Sequence, residues 1–295
     1  MEKIRIAVVG GDTRLAYIVP YLARKGCIVT CYGTESIPEK SGISYCFAGS
    51  LKEAVAESEV IVCGIPFARG DEVYTNLALP DMEINYFCEC LKEGQRLFGG
   101  VLPKYVRDIC RKKQVLYYDF MEDEALAVFN AVATAEGSVL TALKEQPTNL
   151  HRSRCLVLGY GKCGRVLADK LKGLSAEVTV CARKEGALAY AEAAGMKKLP
   201  LAELSEKAEG FEYIFNTIPF VVITEEVLKN MQKSCLIVDI ASGKGGVDYE
   251  AAKRLGVKAL LCPGLPGKYA PKASACGMGE FVMRKIMNII INNRK

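Results

Sequence analysis

CLVLGYGKCG, residues Cys155–Gly164, decides how this chain folds. An apolar run, Cys155 to Leu158, ends at Gly159, and Gly161 and Gly164 complete a G-x-G-x-x-G spacing. Val166, Leu167, Leu171 and Leu174 then recur at helical period, and a second apolar run follows from Glu177 to Cys181. The order is strand, glycine turn, helix, strand. Each glycine has its own task there. Gly159 permits a sharp turn out of the strand, Gly161 lets backbone N–H groups approach a pyrophosphate, and Gly164 lets helix and strand pack closely. The positive end of the helix faces the anion. In this full context the motif predicts a dinucleotide site.

The end of the second strand selects the dinucleotide. NAD sites place an acid there for the ribose 2′-hydroxyl. This strand ends Cys181-Ala182-Arg183-Lys184, so two cations stand where the acid belongs. NADP is expected. Glu185, the next residue, keeps NAD as the alternative.

Working outward, the 295 residues suit two domains. Strand and helix patterns alternate in both halves, which means α/β architecture with parallel sheets. The first domain is expected over 1–130 and the Rossmann domain over 131–272. A final helix within 273–295 is expected to cross back to the first domain, with a cleft between the two. A helix is expected to start near Thr134, its N-cap, and to run to about Glu145. In the amino-terminal turn Gly10-Gly11-Asp12, Asp12 reads as a helix cap. Arg14 lies in the first helical turn, near the positive helix end, where a bound carboxylate would account for it and so would an ordinary surface position.

Composition narrows the function. The net charge of +5 is modest and interspersed, with no basic block for nucleic acid. No run reaches the length of a membrane-spanning helix, and residues 1–10 read as strand without a leader, so a cytoplasmic protein is expected. Many of the 13 cysteines, among them Cys31, Cys63, Cys155, Cys181, Cys235 and Cys262, lie in apolar strand patterns, as small hydrophobes in a reducing compartment. With one histidine and no CxxC, no metal site is expected. That histidine, His151, precedes the fingerprint strand and so sits at the amino edge of the sheet. A lactate-type dehydrogenase uses a histidine as proton acceptor, and none is available here. The base must be Lys, Tyr, Asp or Glu, or the reaction needs little acid–base help.

Ligands of open parallel sheets bind at the carboxyl ends of strands. The groups there are mostly cations, among them Arg14, Arg69, Arg183, Lys184, Lys244 and Lys268. They suit an anionic substrate beside an anionic cofactor.

Six segments together resemble the dipicolinate synthase A-subunit family: GGDTR (10–14), VATAEG (132–137), VLGYGKCG (157–164), NTIP (216–219), DIASGKGGVDY (239–249) and PGLPGKYAPKASA (263–275). The resemblance spans nearly the whole chain. It implies an NADP-linked oxidoreductase that dehydrogenates dihydrodipicolinate, or its hydroxylated precursor, in the mother cell of a spore-forming bacterium. It also implies, as partner, the flavoprotein-like B-subunit of dipicolinate synthase, and a homo-oligomer is expected. It assigns Gly159, Tyr160, Gly161, Lys162, Cys163, Gly164, Arg183 and Lys184 to the cofactor. Thr217, Ile218, Pro219 and Ser242 would line its nicotinamide half. Asp12, Arg14, Thr134, Glu136, Ser242, Lys244 and Lys268 would face the substrate, with no catalytic base assigned. Where the family reads R-P-G-G after the serine, this chain has Gly243-Lys244-Gly245-Gly246, so the cation has moved. The alternatives are an alanine-dehydrogenase-like or imine-acting oxidoreductase working alone, and a non-catalytic NADP-binding subunit.

Overall fold

The computed structural model describes residues 3–38 and 42–292. They form two units. One runs to Phe129 and resumes at Ala270; the other is Asn130–Tyr269.

The first unit holds strands β1 (Arg5–Val9), β2 (Ile28–Tyr32), β3 (Tyr45–Phe47), β4 (Val60–Cys63), β5 (Ala68–Arg69), β6 (Glu72–Val73), β7 (Arg96–Gly99) and β8 (Leu116–Asp119). Its helices are α1 (Thr13–Arg24), α2 (Leu51–Ala56), α3 (Ile84–Cys90) and α4 (Lys104–Lys112). Six strands form one parallel sheet in the order β3-β2-β1-β4-β7-β8, while β5 and β6 make a small antiparallel hairpin. Both sheet faces are covered. Ile6 and Val8 of β1 enter one core and Ala7 and Val9 the other, which is why the strand is apolar throughout rather than alternating.

Helix α5 (Glu124–Glu145) crosses the boundary between the units. The second unit then runs β9 (Arg154–Leu158), α6 (Lys162–Gly173), β10 (Glu177–Ala182), α7 (Glu185–Ala193), β11 (Lys197–Pro200), α8 (Leu204–Lys207) and β12 (Tyr213–Asn216). It closes with α9 (Glu225–Lys229), β13 (Leu236–Asp239), α10 (Tyr249–Leu255), β14 (Lys258–Leu261) and α11 (Leu265–Tyr269). Its parallel sheet has the order β11-β10-β9-β12-β13-β14, the same doubly wound order as the first. Cys155 and Val157 feed one core, Leu156 and Leu158 the other.

The last helix, α12 (Pro271–Asn292), belongs to the first unit. It packs on α1, where Gly279 lies so close to the Tyr21 ring that a Cβ would sit 2.4 Å from it. Phe281 meets Phe98 and Phe120 edge-on.

Two expectations need correction. Helix α5 starts ten residues before Thr134, because Asp123 caps it by accepting the Leu126 N–H at 2.9 Å. Thr134 is therefore interior, and its hydroxyl donates to the carbonyl of Asn130 at 2.9 Å. The continuous helix is also long and apolar enough, by length and composition, to cross a membrane, with 44% of its most apolar window buried within the structure. A start at Thr134 would have left it too short to do so.

Candidate dinucleotide site

The fingerprint turn lies between β9 and α6, at the middle of the sheet where β9 borders β12 and the two halves meet. Gly159 has φ +89° and its N–H donates to the Cys181 carbonyl at 2.8 Å. A Cβ there would meet Thr217 Oγ1 at 2.4 Å. One on Gly164 would meet the Gly159 carbonyl oxygen at 2.1 Å. Both contacts require glycine. Gly161 is different: it is exposed and a Cβ would meet nothing within 4 Å, so that side of the turn is open. Gly161 caps α6 without any side-chain hydrogen bond. Within the described residues no acceptor takes the N–H of Gly161, Lys162 or Cys163. Those donors, at the positive helix end, fit a pyrophosphate.

A cavity of about 840 Å³ opens from this turn. Gly159, Tyr160 and Gly161 line it together with Thr217, Ile218 and Pro219. Arg183 and Lys184 line it too, and no acidic residue does. Glu185, which kept NAD open as an alternative, is exposed on α7 and does not line the cavity. Arg183 and Lys184 make no ion pair among the described residues, so their charge is available to an anion.

The Ile218–Phe220 wall is held from behind by a buried carboxylate. Asp239 accepts from Asn216 Nδ2 at 2.9 Å, the Ala241 N–H at 3.0 Å, the Gly246 N–H at 2.6 Å and the Tyr249 hydroxyl at 2.8 Å. Burial and then Asp239 push the Tyr249 phenol far above its usual range, so it remains a donor. Asn216 brackets Ile218, donating to its carbonyl and accepting its N–H, both at 3.0 Å. The Gly246 carbonyl accepts the N–H groups of Val222 and Ile223. The loops after β12 and β13 are thus one rigid body. Thr217 adds to it, donating its N–H and hydroxyl to the Leu158 carbonyl at 2.9 and 2.8 Å.

The remaining candidates divide. Ser242 and Lys244 are exposed in the loop that Asp239 holds. Lys268 is exposed at the end of α11, its ammonium 5.0 Å from the Tyr269 ring centroid. Thr141 and Lys268, hydrogen-bonded to that phenol, lower its pKa. Glu136 is paired with Lys170 at 2.9 Å and, like Thr134, does not line the cavity. Cys163 is half-buried, and burial raises its thiol. His151 lies in the turn before β9, at the amino edge.

Arg14 is accounted for without a ligand. It is 6% exposed, and its Nη2 lies 2.7 Å from Asp12 Oδ2 while its Nε donates to Oδ1 at 2.9 Å. Nη2 also donates to the Ile65 carbonyl. The Asp12 carboxylate meanwhile accepts the Arg14 N–H at 3.0 Å, capping α1 as expected. A carboxylate does stand beside Arg14, that of Asp12 two residues away.

Arg165, Tyr190, Leu201, Phe220 and Val222 also line the cavity and were not anticipated. Arg165 directly follows the last fingerprint glycine, and that adjacency is the one signal the sequence offered.

Residues 5–121 match the family model for the N-terminal domain of the dipicolinate synthase A-subunit. Residues 128–253 match that for the NAD binding domain of D-isomer specific 2-hydroxyacid dehydrogenases. The chain is 28% identical over 282 residues to the dipicolinate synthase A-subunit of Bacillus subtilis (strain 168), 93% of either chain. The solved A-subunit from Bacillus subtilis is 26% identical, with TM-score 0.86, over 99% of this chain and 98% of that one. The solved A-subunit from Bacillus halodurans is 25% identical, with TM-score 0.84, over 95% and 97%.

Proposed function

Starting from a chain related to the dipicolinate synthase A-subunit along nearly its whole length, we propose that it is the NADP-binding oxidoreductase component of a dipicolinate-forming enzyme. It takes dihydrodipicolinate, or its hydroxylated precursor, to the aromatic dicarboxylate, together with a flavoprotein-like B-subunit, in the cytoplasm of a sporulating mother cell. The observation that carries this reading is the cavity at the uncapped start of α6, lined by Arg183 and Lys184 and by no acid.

The nicotinamide, when bound, accepts a hydride. The chain's own residues then do four things. The N–H groups of Gly161, Lys162 and Cys163 hold the pyrophosphate. Arg183 and Lys184 neutralise the 2′-phosphate. Thr217, Ile218 and Pro219, fixed by Asn216 and Asp239, set the nicotinamide edge. Ser242 and Lys244, in the loop tied to that wall, offer a hydroxyl and a cation to the substrate. Gaining a pyridine ring makes the hydride loss strongly downhill, so positioning supplies much of the rate and no histidine is required.

The test is direct. The purified chain is mixed with NADP and freshly generated dihydrodipicolinate, and NADPH and dipicolinate absorbance are followed with and without the flavoprotein-like partner. Equal amounts of NADPH and dipicolinate from this chain support the proposal. Dipicolinate without NADPH, or formed equally well with the cofactor omitted, defeats it.

A further inference from the structure

The cavity contains a third cation with an unusual mounting. Arg165, in the first turn of α6, places its guanidinium carbon 5.4 Å from the ring centroid of Tyr160 and 5.4 Å from that of Tyr190. Its Nε donates to the Tyr160 carbonyl at 3.2 Å. No acid pairs with it among the described residues. Tyr190 is 67% exposed, so no core requirement places that ring there.

The direction of the side chain matters. The pyrophosphate donors are the N–H groups at the very start of α6, whereas Arg165 is drawn towards α7 by Tyr190. Helix α7 begins directly after Arg183 and Lys184, has no side-chain cap at Lys184, and leaves the N–H groups of Glu185 and Gly186 without acceptors among the described residues. Gly186 and Tyr190, four residues apart, share the α7 face that lines the cavity. No hydrogen bond occupies Nη1 or Nη2 among the described residues, and cation–π contact, which uses the face of a guanidinium, leaves its edge to hydrogen-bond.

We infer that Arg165, clamped by Tyr160 and Tyr190, is a specificity-determining residue for the 2′-phosphate of NADP. It reads that phosphate bidentately while Arg183, Lys184 and the start of α7 supply the rest of the counter-charge. The inference rests on the NADP reading above and deepens it.

Calorimetric titration of the full chain with NADP, NAD, 2′,5′-ADP and 5′-AMP tests it. Arg165→Gln should weaken NADP and 2′,5′-ADP about 10- to 100-fold while leaving NAD and 5′-AMP unchanged. Retained NAD binding also shows that the variant is folded. Arg165→Lys should recover only part of the loss, because an ammonium lacks the planar fork. Tyr190→Leu should lower NADP affinity in the same direction by less. Wild-type NADP affinity should fall as pH drops through about 6, where a phosphate monoester takes up its second proton, and Arg165→Gln should flatten that dependence. If the wild type shows no preference for NADP, both the NADP reading and this inference fail. If it prefers NADP, and Arg183→Gln abolishes the preference while Arg165→Gln does not, only Arg165 is overturned. Equal loss of NAD and NADP in Arg165→Gln likewise overturns its role.

Discussion

The two sheets share one strand order, yet they treat their glycine turns in opposite ways. Gly10 and Gly159 correspond: each donates its N–H to a carbonyl at the carboxyl end of the neighbouring strand, Tyr32 and Cys181, at 2.8 Å. Asp12 and Gly161 then occupy the same N-cap position. In the second unit the helix start is bare and opens on a cavity. In the first, the Asp12 carboxylate caps it, Arg14 neutralises that carboxylate, and the Tyr74 carbonyl accepts the Gly11 N–H at 2.6 Å. A Cβ on Gly10 would fall 2.4 Å from that same oxygen. In the first unit an acid and a main-chain oxygen take the N–H groups that the second leaves bare. Topology therefore makes a place for a phosphate, and only the local donors decide whether the place is vacant.

The chain reads Ile-Pro-Phe twice, at 65–67 after β4 and at 218–220 after β12, and these segments give the largest contrast. Phe67 is fully buried against Phe87, while Phe220 is 74% exposed. Phe67→Ala should cost about 3–5 kcal/mol, and Phe220→Ala should stay within about 0.5 kcal/mol, both by urea unfolding. Similar costs would mean that the two loops are structurally alike after all.

Asp12→Ala should cost about 3 kcal/mol, because it leaves the buried Arg14 without its counter-charge. It should not create a second dinucleotide site, since the Tyr74 carbonyl remains; calorimetric stoichiometry should stay at one per chain. A second bound dinucleotide would show that Asp12 alone closes the first turn.

The reciprocal change, Gly161→Asp, builds a cap of the first kind into the second unit. The space is open, so thermal stability should hold or rise slightly. Dinucleotide affinity should fall about 100-fold, from a like charge set against the pyrophosphate. Unaltered affinity would move the pyrophosphate away from α6.

The smallest effect is at alkaline pH. Both sheets pair a tyrosine with an aspartate near their carboxyl ends, Tyr32 with Asp81 and Tyr249 with Asp239. Burial first, then Asp81, pushes Tyr32 up from 10.0 to about 12. The neutral phenol's contribution is whole below pH 10 and is lost as pH rises from 10 to 12. Tyr32→Phe should remove that part of the alkaline stability loss, measured by unfolding at each pH alongside tyrosinate absorbance.

Much of this could be read from residue order. The fingerprint strand, turn and helix lie where the glycines put them, and Val60–Cys63, Tyr213–Asn216 and Leu236–Asp239 are strands because they are apolar on both faces. Other features left weak traces. Strand β11 carries Lys197, Lys198 and Pro200, tolerable only at a sheet edge. The β5–β6 hairpin is two residues per strand, too short for any period. Thr134 looked like a cap because threonine caps often do, but Asp123 does the capping. Arg14 seemed unpaired because helical charge pairs are sought three or four positions apart, whereas a cap can fold back on its own second residue. Arg165 left only its place after Gly164 as a trace, because its two rings come from different helical neighbourhoods, Tyr160 before it and Tyr190 on α7.

A carbonyl oxygen has no residue type. The atom that seals the first turn belongs to Tyr74 only by position, so replacing the side chain at 74 leaves the seal in place. What holds it there is main-chain bonding: the Tyr74 N–H donates to the Phe67 carbonyl at 2.9 Å, and the Val73 N–H before it to that of Met82 at 2.7 Å. The contrast between two folds of one design thus rests partly on backbone geometry, which a change of side chain at 74 does not touch.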